Sequence, residues 1–144
     1  MKRVFGVFLL IISIIVLTGC TKNYKAITYT NFIEFFNKKA DFIVDNQTLK
    51  YEDKFERFIE VSGENTEFTY IEFKSEEAAR KYMIDNYQSL KEYKLKDKEK
   101  YMTVEYKINK YMRIIQIDKI VIYGQTPIAS NKKEVKKIFK ELGY

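Results

Sequence analysis

The sequence predicts an α+β fold: a single small domain on an antiparallel sheet of about five strands, with three helices packed mainly on one face. Three observations carry that expectation. Residues 101–108 alternate, with Met102, Val104, Tyr106 and Ile108 on one side and Thr103, Glu105 and Lys107 on the other, the period of a strand with one buried face. Two further β-rich runs, 111–117 and 120–125, follow after short breaks at Asn109-Lys110 and Asp118-Lys119, as in a meander. Around residues 75–90 and 130–143 the apolar spacing becomes helical, and each window opens on a capping residue.

At the start of the chain, Lys2 and Arg3 precede an apolar run from Val4 to Leu17 broken only by Gly6 and Ser13. The run is shorter than the about 20 residues needed to span a bilayer, and it has the order of charge, apolar core and small residues found in a secretory signal. Leu17-Thr18-Gly19-Cys20 resembles the lipobox of bacterial prolipoproteins. That resemblance implies cleavage between Gly19 and Cys20, acylation of the Cys20 sulfur, and anchoring to the membrane through two or three acyl chains. The expected organisation is therefore a cleaved signal peptide over 1–19, a lipidated N-terminus and short tether over 20–29, and an extracytoplasmic α+β domain over 30–144. A tether from Thr21 to Tyr29, nine residues, reaches about 30 Å when extended.

A first helix is expected from about Asn31 to Ala40, with Asn31 as cap, Glu34 as its capping-box partner, and Phe32, Ile33, Phe36 and Ala40 on one face. Residues 42–61 should hold one irregular strand and a clearer one near Arg57–Val61. The turn signal "SGEN" at 62–65 then leads into β-formers at Thr66–Phe73, a hairpin. Ser75 caps a second helix, with Glu76 and Glu77 in its first turn and Ala79, Met83, Asn86, Tyr87 and Leu90 along its stripe. Glu76–Arg80 and Glu77–Lys81 stand at pairing distance along it. "KEYKLKDKEK" at 91–100 reads as a charged connector. After the meander, Pro127 stops the sheet, and the last helix starts at Ser130 or Asn131. It carries Val135, Ile138, Phe139 and Leu142 inward, and Gly143 and Tyr144 close its C-terminus. "EFKSEEAARKYM" (72–83), the meander and "KKIFKELGY" (136–144) together resemble small lipoproteins of low-GC Gram-positive bacteria. This likeness contains no catalytic motif and implies no activity.

Composition closes several routes. With no histidine and Cys20 as the sole cysteine, Ser-His-Asp and Cys-His machinery, the usual zinc sites and haem ligation by His are excluded. The glycines at 6, 19, 63, 124 and 143 are isolated and form no phosphate loop. No cofactor and no metal is expected. Of 26 basic residues, Lys2 and Arg3 leave with the signal, so the mature chain has 24 against 20 acidic, a net charge of +4. An exported chain of that modest charge does not suggest a nucleic-acid partner.

Two surfaces are candidates for binding. Lys132, Lys133, Lys136, Lys137 and Lys140 lie opposite the apolar stripe of the last helix, a candidate contact with anionic lipid or wall polymer at about 1 kcal/mol per lysine. A solvated face of a lysine-rich chain is the plainer reading. Tyr101, Tyr111 and Tyr123 are candidates for an open sheet face that stacks on sugars or anchors a protein. The acids Glu52, Asp53, Glu56 and Glu60, and Glu64 with Glu67, offer paired carboxylates, yet they are interleaved with Lys54 and Arg57 as in a solvated segment. Asn46-Gln47-Thr48 matches a glycosylation sequon and is read as chance. The expected function is a lipid-anchored, non-enzymatic binding module on the outer face of the cytoplasmic membrane, with an envelope protein or wall polymer as partner. The alternative is a small envelope enzyme using carboxylate or tyrosine chemistry.

Overall fold

A computed structural model describes residues 24–144. The expected signal segment, the lipobox and Cys20 lie outside the described residues. Three helices, α1 (Tyr29–Asn37), α2 (Glu76–Tyr87) and α3 (Lys132–Glu141), pack against seven strands. The strands are β1 (Ile43–Asn46), β2 (Arg57–Ser62), β3 (Glu67–Glu72), β4 (Lys94–Lys98), β5 (Tyr101–Tyr106), β6 (Tyr111–Ile117) and β7 (Ile120–Thr126). All form one antiparallel sheet in the order β1-β2-β3-β7-β6-β5-β4.

The expected hairpin is β2–β3 and the expected meander is β5–β6–β7. The meander turns on Asn109 at φ 60° and Asp118 at φ 50°, residue types that tolerate left-handed backbone. The count of about five strands is too low. Residues 94–98, read as connector, form β4, an edge strand paired with β5 from Lys94 opposite Glu105 to Lys98 opposite Tyr101.

Two of the three helices cover one face, as expected, and the third covers the other. On face A, Phe32 and Phe36 of α1 meet Tyr70 and Phe68, while Val135, Ile138 and Phe139 of α3 pack on the β6–β7 region. On face B, Ala79 and Met83 of α2 pack with Met102, Val104, Met112, Ile114 and Val121. Strands β6 and β7 are apolar on both sides, Ile115 and Ile122 toward α1 and α3, Ile114 and Val121 toward α2. A strand so composed is stable only with both faces covered.

Local signals set the helix ends. Thr28, rather than Asn31, caps α1: its side chain accepts from the Asn31 N–H at 3.3 Å, and the helix begins two residues before Asn31. Ala40 lies beyond its end and is exposed. Ser75 caps α2, accepting from the Ala78 N–H at 3.1 Å. The expected partners along α2 differ: Arg80 reaches across to Asp97 of β4, and Lys81 pairs with Asp85 at 2.7 Å. Asn86 is exposed, and Leu90 lies past the end of α2 at Tyr87 and is exposed as well. A 3₁₀ turn at Ala129–Asn131 precedes α3, and Asn131 makes no side-chain cap bond. Gly143 at φ 95° lets the Tyr144 N–H reach the Phe139 carbonyl at 2.7 Å and the Gly143 N–H reach that of Lys140 at 3.1 Å. This pair of bonds satisfies the last carbonyls of the helix.

From Tyr24 onward the segment before α1 packs against the core rather than standing free. Ala26 and Ile27 pack on face A, and the Ile27 N–H donates to the Tyr144 hydroxyl at 2.9 Å. The Tyr24 ring meets Tyr101 edge-on with centroids 4.8 Å apart and lies 5.9 Å from Tyr144.

Gly124 stands opposite Phe68 at the junction of β3 and β7. A Cβ there would come within 2.6 Å of Phe139 and 2.8 Å of Phe68, both fully buried. Gly124→Ala should therefore lower the unfolding free energy by about 1–3 kcal/mol, measured by urea denaturation. An unchanged midpoint would show that the two rings are free to move aside.

Candidate functional site

Face A is not covered to its end. α1 and α3 lie over the sheet from β1 to β6, and on β4 the side chains of Lys94, Lys96 and Lys98 emerge from this face, all exposed. Successive side chains on one face of a strand stand about 6.6–6.8 Å apart, so the three ammonium groups form a row. With Tyr24, Tyr101, Thr103, Glu105, Lys107 and Arg113 they line a concavity of about 600 Å³. Tyr101 and Thr103 form its floor, Arg113 lies across Phe139 at 5.1 Å on the α3 side, and Tyr24 bounds one end.

Charge in the concavity is one-sided. Its single carboxylate, Glu105, is already occupied: Lys107 lies 2.7 Å from one oxygen, and the Tyr111 hydroxyl donates to the other at 2.9 Å. Lys136 approaches the same oxygen at 3.8 Å. Burial alone would raise the Glu105 pKa, but the bonds from Lys107 and Tyr111 outweigh it and hold the carboxyl below its ordinary range. Among the described residues no carboxylate lies within ion-pair distance of Lys94, Lys96 or Lys98. What this arrangement can do chemically is hold an anion.

The residues expected from sequence are dispersed relative to this site. Of the α3 lysines, Lys136 comes to its border, 3.8 Å from Glu105 and 5.6 Å over the Tyr111 ring. Lys137 faces Glu141 at 3.9 Å, and Lys132, Lys133 and Lys140 are exposed on α3. The three tyrosines do not share a face. Tyr101 lies on the concavity floor and Tyr111 is buried beneath Lys136. Tyr123 sits on face B against α2 and donates to Gln125 at 2.7 Å. Burial and the neighbouring Glu105 raise the Tyr111 pKa well above its ordinary value, and burial does the same for Tyr123. Neither phenol is activated for proton transfer near neutral pH.

Of the acidic candidates, Glu52 and Glu56 line one concavity together with Glu72. Glu56 and Glu72 share Lys119 at 2.6 and 2.9 Å, Glu67 accepts from Gln125 at 2.6 Å, and Glu52, Asp53, Glu60 and Glu64 are exposed. Among the described residues no group of three or more acids could hold a metal ion, and no helix is long and apolar enough to cross a membrane.

Lys94, Lys96, Lys98, Lys107 and Arg113 escaped the sequence reading. The period-two spacing of the three β4 lysines was the available signal, set inside a run so charged that alternation was masked.

A carboxyl held below its ordinary pKa stabilises the fold above about pH 4.5, and the contribution disappears as pH falls through the lowered value. Glu105→Gln keeps an acceptor for Tyr111 but removes this titration. Thermal unfolding followed from pH 6 downward, through roughly the pH 3–5 range where carboxyls titrate, should therefore fall less steeply for Glu105→Gln than for the parent chain; parallel curves would place the stabilising charge elsewhere. Comparison with protein-family models, with curated proteins and with solved structures finds no match for this chain.

Proposed function

We propose that the chain is a lipid-anchored, non-enzymatic binding module on the outer face of the cytoplasmic membrane, and that it takes an anionic envelope component on face A of β4 and β5. The observation that carries this reading is the cationic concavity, whose only carboxylate is already paired with Lys107 and hydrogen-bonded by Tyr111. An anion entering it meets Lys94, Lys96, Lys98 and Arg113 and displaces no existing ion pair of the β4 lysines.

The anchor rests on the lipobox likeness of Leu17-Thr18-Gly19-Cys20 and on the charge and length of the segment before it. The fastening of Tyr24 beside the concavity agrees with such an anchor, because it sets the binding surface close to the acylated end. Non-enzymatic action is supported by the absence of His from the chain, by the engagement of Glu56 and Glu72 with Lys119, and by tyrosines whose pKa values are raised rather than lowered. A surface contact through Lys132, Lys133, Lys137 and Lys140 draws less support, since these lysines frame no concavity.

Two experiments test the two halves. Cys20→Ala should leave an unprocessed precursor that no longer takes up labelled palmitate; unchanged labelling overturns the anchor. A photocrosslinking residue in place of Thr103, used in the anchored chain in its own cells, should give an adduct whose yield drops on adding Lys96→Glu and Lys98→Glu. A yield no greater than that of the same probe at Asp85 on α2 removes the concavity as the binding surface.

A further inference from the structure

We propose that the occupant of the cationic concavity is the anionic lipid of the bilayer that holds the anchor, so that the domain stands on its β4–β5 end with face A turned to the headgroups. This rests on the reading that Cys20 is acylated, and it adds an orientation and a ligand to it.

The argument begins with chain length. Tyr24 is held against Tyr101 and lines the concavity, and Cys20 is four residues away. Four residues reach at most about 14 Å. The headgroup layer itself is about 5–7 Å deep on each side of the hydrocarbon, and the field of a charged surface extends about 8 Å beyond it at physiological salt. An acyl group on Cys20 thus keeps Tyr24, and the part of the concavity beside it, within reach of the headgroup field. No other basic cluster among the described residues is tied so closely to that end of the chain.

Chemistry at the site agrees. Five basic side chains, Lys94, Lys96, Lys98, Lys107 and Arg113, line it with one carboxylate, and Tyr24 and Tyr101 stand among them, the pairing of aromatic and basic residues that suits a membrane interface. Protection of an edge strand against pairing is the competing explanation for lysines on β4. It does not account for their placement. All three lie on face A, while Asp97 on face B is engaged by Arg80 of α2. The opposite edge, β1, with the sequence Ile-Val-Asp-Asn, carries no lysine at all.

The test uses the full lipidated chain in vesicles of phosphatidylcholine alone, or of equal parts phosphatidylcholine and phosphatidylglycerol. Flotation reports the anchor, and acylation of lysines by an amine-reactive ester, read by mass spectrometry, reports the orientation. A surface at about −30 mV concentrates protons roughly threefold and lowers the free-amine fraction to match. Lys94, Lys96 and Lys98 should therefore react about threefold or more slowly on the anionic vesicles than on the neutral ones, with Lys133, Lys137 and Lys140 unchanged. Lys107, in the same concavity, should be slowed with them, and in a chain carrying Lys94→Glu, Lys96→Glu and Lys98→Glu, which should still float, it should react equally on both vesicles. Failure to float defeats the anchor and the proposal together. Flotation with equal reactivity in both vesicles, or with protection confined to the α3 lysines, overturns the proposal and leaves the anchor standing. Equal protection on neutral vesicles by added inorganic polyphosphate would assign the site to a free phosphate chain and overturn the lipid assignment.

Discussion

The pairing of β3 with β7 is the constraint on which the rest of the molecule depends. Six residue pairs, from Glu67 opposite Gln125 to Glu72 opposite Ile120, join the β1–β2–β3 unit to the β4–β7 meander. Each half alone would expose an unpaired edge and a single sheet too small to bury its apolar side chains. Joined, they make one seven-stranded sheet broad enough for two helices on one face and one on the other. Gly124 sits inside this seam, and the Phe68 and Phe139 rings lie across the space that a side chain there would take. The contacts are long-range in sequence, so loop closure over α2 and three strands must precede the burial that stabilises them.

A sheet of this width outgrows its helices, and that mismatch creates the site. α1 and α3 cover face A as far as β6, whereas α2 on face B reaches β5. The two covers are thus offset. On β5, Met102 and Val104 are buried beneath α2, while Tyr101 and Thr103 on the other side are only half-buried. The β4 residues facing the same direction are lysines because nothing apolar packs on them. One carboxylate among them would attract several bases, and the Glu105 cluster does so with Lys107, Tyr111 and Lys136 without reaching the β4 row.

Much of this architecture was legible in the sequence, for identifiable reasons. The meander showed because β5 has one side apolar and one polar, and Asn109 and Asp118 mark its turns. Ser75 and Gly143 announced helix ends through local chemistry that tertiary structure did not alter. β4 was not legible, since Leu95 is its single apolar residue and an edge strand with one uncovered face needs no more. The second covered face could have been read from "YMRIIQI" and "IVIYGQT", runs apolar at neighbouring as well as alternate positions. The fastening of residues 24–29 depends on surfaces from β3, β5 and α3 meeting them at once, and no local pattern encodes that.

That fastening changes the physical meaning of the short lead. A free segment from residue 20 to 29 would let the domain sample many orientations above a membrane, and any basic patch could meet it in turn. With Ile27 bonded to Tyr144 and Tyr24 wedged against Tyr101, the path from Cys20 ends on one chosen corner of the domain. On the proposed anchor, geometry fixes which corner lies nearest the surface, and charge selects among the orientations that remain. The row of lysines lines the same concavity as Tyr24, which is four residues from Cys20, whereas Lys132, Lys133, Lys137 and Lys140 of α3 do not. If Cys20 carries the proposed anchor, a tight join between lead and sheet makes a modest net charge sufficient, because the bases beside Tyr24 are then kept near the anionic surface.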